Sequence, residues 1–331
     1  MQRWAKQSLF EDWVNKMKLY QKNDVCYLLL IFLFFGCESK EQLSEKNVVA
    51  VNGVKLHYKI EGSGITAMVI GSAIQQPRMF SQELRKQFKF IFVDTRLFIP
   101  ASIEKFTLDD AVEDIEGIRK YLNIDKMVVM GNSMLAIIAL EYVKKYPNRV
   151  SHLVMIGISP IFDDSYYKER NKYWESHATK ERKQIWKENK KKLTNEALKN
   201  VSPGKARVLR YVANGPKRCY DAKYDASWLF EGVTVNVSKG IQNFVKSYYR
   251  YDITKNIQTI TMPILLVLGR YDFNNPYYLW NDFKSKFPYL EYHLFDKSGH
   301  HPMLEETKLF NQTFIEFIYQ HNNKLSLNIP K

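Results

Sequence analysis

The chain has 331 residues, 45% of them hydrophobic, and a formal net charge of +14. That length suits one large α/β domain with an insertion, and the absence of any zinc-finger, RRM or helix-turn-helix pattern argues against a nucleic-acid partner despite the charge. The excess is local: residues 163–258 hold 21 Lys and Arg against 11 Asp and Glu, which reads either as a solvated helical face or as attraction to anionic membrane surfaces or acidic substrates.

The first predicted element is the unbroken apolar run at residues 25–35, VCYLLLIFLFF. It is too short for a bilayer, which needs roughly 20 residues, and has the length of a signal-peptide h-region. Lys18 and Lys22 precede it, and Gly36-Cys37 then Glu38-Ser39-Lys40 follow. The segment resembles a bacterial lipoprotein signal with a lipobox Phe34-Phe35-Gly36-Cys37, although Phe stands where Leu and a small residue are usual. The resemblance implies a signal region at residues 1–36, lipidation of Cys37, and a polar tether at residues 37–46. The protein would then be lipid-anchored in a bacterial cell envelope, outside the cytoplasm. Trp4, Phe10 and Trp13 are odd for a signal peptide, which leaves two candidate starts, Met1 and Met17. The competing reading of the run is a buried strand or helix. Removal of Cys26 and lipidation of Cys37 would leave only Cys219, so no intrachain disulfide is expected.

Residues 47–60 predict two short strands around the hairpin signal Asn52-Gly53. Strands follow at residues 66–71, 88–93, 126–130, 150–156, 264–268 and 291–295. Helices are predicted at residues 80–86, from the capping pattern at Thr107 onward, at 136–146, at 276–286 and at 305–319. Strands alternating with helices specify a mostly parallel, eight-stranded sheet covered on both faces, its opening pair antiparallel. The core is assigned to residues 47–158 and 257–331. Residues 159–256, rich in Lys, Tyr and Trp, are read as a helical cap inserted after the sixth strand.

Ser133 lies in Met130-Gly131-Asn132-Ser133-Met134, between a strand and a helix. A serine on such a turn has its hydroxyl pushed beyond the sheet edge, where a histidine can take its proton. Downstream, Asp272 follows the strand ILLVL, and His300 sits in Ser298-Gly299-His300-His301-Pro302 after the last strand. A carboxylate there can hold the histidine tautomer. His300 is preferred over His301 because Gly299 allows a sharp turn before it. An oxyanion hole needs backbone N–H groups, assigned to Met134 and to Ser72 or Ala73. Leu135, Trp228, Phe230 and Phe273, with Tyr248, Tyr249 and Tyr251, are the candidate pocket residues, although cap aromatics more often form cap core. No metal cluster or dinucleotide glycine loop is seen, so no cofactor is expected.

Together these motifs resemble the α/β-hydrolase family, nearest to its proline-iminopeptidase-like branch. FVDTRLFIPAS is similar to that branch's strand and turn, GNSM to the elbow, LGRYDFNNP to the acid loop and FDKSGHHPMLEE to the histidine loop. The resemblance implies a serine hydrolase of esters, amides or peptides. Two residues depart from it. Leu135 replaces a small residue, which leaves open whether its helix sits farther out or its side chain enters the pocket, and Leu97 replaces a turn glycine. Prolyl aminopeptidases hold a free amino group with cap carboxylates, for which Asp225 and Glu231 are the candidates here. The alternative is a non-catalytic surface-binding lipoprotein that kept the fold, with Leu135 as its best argument.

Overall fold

The computed structural model describes residues 47–327, with side chains to His321. Cys37, the signal region, Met17 and the tether lie outside the described residues. Eight strands form one sheet: β1 Val48–Val51, β2 Val54–Glu61, β3 Ile65–Gly71, β4 Phe88–Asp94, β5 Met127–Asn132, β6 Val150–Ile156, β7 Ile264–Gly269 and β8 Leu290–Phe295. Their order is β1-β2-β4-β3-β5-β6-β7-β8. β2 runs antiparallel to both β1 and β4, and the remaining pairs are parallel.

The central strands are apolar on both sides, as a sheet covered on both faces requires. Met127 and Val129 of β5 join one core with α1 (Leu108–Tyr121) and α2 (Leu135–Lys145). Val128 and Met130 join the opposite core, with Phe310, Phe314 and Phe317 of α9 (Thr307–Leu327). The same alternation divides β3, β4, β6 and β7, because successive side chains leave opposite faces. Thr107 caps α1, its hydroxyl accepting from the Asp110 N–H while the Asp110 carboxylate accepts from the Thr107 N–H. This is the capping box that the sequence predicts.

Between β6 and β7 the chain is helical: α3 Asp164–His177, α4 Lys180–Lys191, α5 Asn195–Leu198, α6 Pro203–Ala213 and α7 Lys239–Ser247. A short helix α8, Pro302–Glu305, precedes α9. Two expected helices are absent. Residues 80–86 hold only a 3-10 turn, Leu84–Lys86. The carbonyls of Pro77, Phe80 and Ser81 accept from the Arg85 guanidinium instead of from a helix ladder. Residues 276–286 form two 3-10 turns, Tyr277–Trp280 and Lys284–Lys286. There the fully buried Trp280 donates to the Ile158 carbonyl at 2.7 Å, and Asn281-Asp282 are weak helix formers.

Candidate active site

Ser133 occupies the turn between β5 and α2 with φ of +58°, a region that non-glycine residues enter rarely. Its N–H donates to the Ile156 carbonyl at 2.8 Å, and its carbonyl accepts from the Ala136 N–H at 2.9 Å. Asn132, next to it, donates from its side chain to the carbonyls of Ile156 and His300, at 3.1 and 3.2 Å. The elbow is thereby tied to the histidine loop. Gly131 explains the tight turn: a Cβ there would lie 2.5 Å from the Leu135 carbonyl oxygen. The helix therefore sits close to the strand despite Leu135, and the Leu135 side chain lines the cavity beside Ser133. Of the two arrangements left open by the sequence, the second holds.

Asp272 and His300 are 1% and 2% exposed. His300 Nδ1 lies 2.6 Å from Asp272 Oδ2. The other carboxylate oxygen accepts from the N–H groups of Asn274 and Asn275, both at 3.0 Å, and the Asn275 side chain donates to Oδ2 at 3.2 Å. An ionised Asp272 so fixed requires the proton on Nδ1, which leaves Nε2 as the proton-accepting nitrogen. The His300 N–H donates to the Arg218 carbonyl at 2.5 Å. A Cβ on Gly299 would lie 2.0 Å from that same carbonyl oxygen. Gly299 thus admits the neighbouring segment to the histidine loop, and it does not take the positive φ of a sharp turn. His301 is directed elsewhere: its Nε2 is 2.7 Å from the Tyr211 hydroxyl. Burial, with His300 and Arg218 nearby, holds its pKa well below the ordinary histidine range.

Two cavities meet at Ser133, Met134, Arg207, Tyr211 and His300. The smaller, ≈ 160 Å³, is walled largely by Met79, Leu97, Phe98, Leu135, Val208 and Phe230, with Gln75 and Gln76. The larger, ≈ 420 Å³, is walled largely by residues of the segment between β6 and β7, Tyr248 and Tyr249 among them. Phe230 and Leu135, candidate pocket residues in the sequence, line the smaller cavity.

Several other expected site residues lie elsewhere. Trp228 is 38% exposed and donates to the Tyr224 hydroxyl, away from either cavity wall. Phe273 follows Asp272 in the chain but packs on Tyr173 and Trp174 in a separate apolar cluster. Tyr251 donates to Glu141 at 2.5 Å. The Ala73 N–H donates to Asp94 Oδ1 at 2.7 Å, so it is not free for an oxyanion. The Ser72 hydroxyl accepts from the N–H groups of Ile74 and Gln75, and neither Ser72 nor Ala73 lines either of these two cavities. Met134, at the start of α2, lines both cavities. Leu97 has more than a turn role: it lines the smaller cavity, and its carbonyl accepts from the Asn236 N–H at 2.8 Å.

Asn132, Asn275, Gln75, Gln76, Tyr211 and Arg207 do not stand out in the sequence. Only the two asparagines carry a local signal, by their positions in GNSM and RYDFNNP. Among the described residues no cluster of His, Cys, Asp and Glu could hold a metal ion, and no helix is long and apolar enough to cross a membrane.

The family model for the alpha/beta hydrolase fold matches residues 71–307 of this chain. The chain belongs to the alpha/beta hydrolase fold family. Within that family, it is 30% identical over 274 residues to the AB hydrolase superfamily protein YclE of Bacillus subtilis, covering 81% of this chain and 97% of that protein. It is 26% identical over 237 residues to a proline iminopeptidase of Flavobacterium johnsoniae, covering 68% and 76%. An alpha/beta fold family hydrolase from Bacillus anthracis superposes with a TM-score of 0.62 at 18% identity, covering 83% of this chain and 98% of that one.

Proposed function

We propose that this α/β-hydrolase is a serine hydrolase with Ser133 as nucleophile, His300 as general base and Asp272 as the carboxylate that orients it. The observation that carries the reading is the buried Asp272–His300 contact at 2.6 Å beside a cavity that Ser133 also lines. His300 Nε2 takes the Ser133 hydroxyl proton as Oγ bonds to the substrate carbonyl carbon. The tetrahedral oxyanion collapses, the bond to the leaving group breaks, and His300 delivers its proton to that group. Water then repeats the sequence on the acyl-enzyme, releasing the acid and restoring Ser133. Met134, as N-cap of α2, has a backbone N–H without an intrahelical acceptor, which suits it to one oxyanion contact. With Ala73 engaged by Asp94, the side-chain amides of Gln75 and Gln76 on the smaller cavity's wall are the groups suited to a second.

The walls of the two cavities favour an ester or simple amide over a free-amine peptide. Among the described residues neither cavity is lined by Asp or Glu. Asp225 caps the N–H of Ser227 at 2.9 Å and neither it nor Glu231 reaches a cavity. The experiment that tests the nucleophile is covalent labelling of Ser133 by a fluorophosphonate.

We also propose that Cys37 carries a lipid that holds the enzyme at a bacterial membrane outside the cytoplasm. The support is the apolar run followed by Gly36-Cys37 in the sequence. The Cys37→Ser protein should move from the membrane fraction to the soluble fraction, and retention in the membrane fraction contradicts lipidation there.

A further inference from the structure

The larger cavity contains a charge imbalance that the hydrolytic groups do not explain. Arg170 of α3, Arg207 and Arg210 of α6, and Arg218 line it, and no Asp or Glu does. Arg210 is exposed and the other three are half-buried; none of the four forms an ion pair among the described residues, whereas the buried Arg85 meets Glu61 and the buried Arg96 meets Asp114. Instead, two of the guanidinium groups lie over aromatic rings. Arg218 is 4.0 Å from the Tyr211 ring centroid and Arg170 is 4.9 Å from that of Tyr167. Arg218 Nε is buried and has no hydrogen-bond partner among the described residues. Burial also holds the Arg207 pKa below the ordinary arginine range. Removing cations from water without a counter-charge is unfavourable, and a guanidinium presents paired donors that match a carboxylate or phosphate. The smaller cavity is different in character, with a mainly apolar wall. Ser133 and His300 stand at the junction, with Arg207 beside them.

We infer that the substrate is a two-sided ester, and this rests on the serine-hydrolase reading above. Its anionic oxygen group, a carboxylate or a phosphate, sits among Arg170, Arg207 and Arg218 in the larger cavity, and a short apolar group on the other side of the scissile bond fills the smaller one. The cations then serve selection: they fix which side of the ester faces His300, and they disfavour a substrate with a free ammonium group in that chamber.

The test uses matched esters with the charge on either side of the bond. Mono-p-nitrophenyl succinate is compared with p-nitrophenyl butyrate, and the butyrate esters of glycolate and of 2-phosphoethanol are compared with that of ethylene glycol. At least one anionic ester should exceed its neutral counterpart in kcat/KM by tenfold or more. That ratio should fall about tenfold in Arg207→Gln and in Arg218→Gln, recover in part in Arg207→Lys, and decline with added salt. The carboxylate and phosphate arms distinguish the two sources of negative charge. Equal or lower kcat/KM for every anionic ester overturns the inference, as does a preference that survives both substitutions. Calorimetric binding of the same esters to the Ser133→Ala protein reads the preference without turnover: tighter binding of an anionic ester supports the inference and its absence overturns it. Fluorophosphonate labelling of the wild type separates the two failures. Labelling at Ser133 without anion preference removes this inference alone, whereas labelling elsewhere removes the reading beneath it.

Discussion

Ser133 is held at φ of +58°, a backbone state that costs about 1–3 kcal/mol for a residue with a side chain. The cost is offset locally by its two backbone hydrogen bonds and by Asn132, which donates to the end of β6 and to the histidine loop. Asp272 is equally constrained, accepting from two backbone N–H groups before it meets His300. An asparagine at 272 keeps the shape but no longer demands the proton on Nδ1. Asp272→Asn should therefore lower kcat by about 10³–10⁴ with KM little changed and the fold retained. Steady-state kinetics on a short-chain ester, with a circular dichroism spectrum alongside, checks this, and a loss below tenfold contradicts the assigned role. Sequence order points to Ser133, Asp272 and His300 because each follows a strand, where the chain has few directions to take. It is not enough for Phe273 or Ala73. Phe273 is next to Asp272 yet turns into another cluster, and the Ala73 N–H is taken by Asp94, a residue at the end of a neighbouring strand.

At the scale of elements, the close approach of α2 to β5 sets the height of Ser133. The Cβ of an alanine at 131 would fall 2.5 Å from the Leu135 carbonyl oxygen and 2.6 Å from the Ala136 Cα. Backbone on both sides must shift, so Gly131→Ala should destabilise the fold by about 1–3 kcal/mol. Urea unfolding measures it, and an unchanged midpoint at unchanged slope shows that the helix is not held close. Strands β3 to β7 are legible because they are short, mainly apolar runs bounded by turns. The two missing helices are less so: their carbonyls and side chains are claimed by Arg85 in one case and shaped by the burial of Trp280 in the other. The arginines on the walls of the larger cavity are not legible in the sequence. Arg170, Arg207 and Arg218 come from separate parts of a Lys-rich segment in which most cations are solvated, and nothing local marks the few that turn inward. A further coupling has the same character. Arg182 of α4 donates to the carbonyls of Pro216 and Cys219, both at 2.7 Å. It thereby shapes the segment whose Arg218 carbonyl receives the His300 N–H.

For the whole molecule, buried titratable groups set how stability varies with pH. His152 lies under α9 against Phe317 and His321, and burial, with His321 and Lys126, pushes it down to about 4. Its native form refuses a proton that the unfolded chain accepts near 6.5. Its contribution is therefore complete above about 6.5 and is lost as pH falls through about 4. His301, also held low by burial, acts in the same direction. Glu305 opposes them. Burial raises it to about 7, although the N–H groups of Tyr220, Gly299 and His301 pull it the other way. A raised carboxyl contributes stability that is complete below its unfolded value of about 4.5 and is lost as pH rises through about 7. Between about 4.5 and 6.5 the two kinds of group therefore oppose each other. Thermal unfolding followed from pH 4.5 to 7 should show a steeper rise of Tm with pH in Glu305→Gln and a shallower one in His152→Phe than in the wild type. Parallel curves for all three proteins contradict this account.

The claim on which the catalytic account rests is that Ser133, poised beside His300, is a nucleophile. A fluorophosphonate probe on the folded wild-type protein, followed by peptide mass mapping, tests it most directly. The account predicts one covalent adduct, on Ser133, with none formed in Ser133→Ala and far slower labelling in Asp272→Asn. An unlabelled wild type, or an adduct that persists in Ser133→Ala, would contradict it.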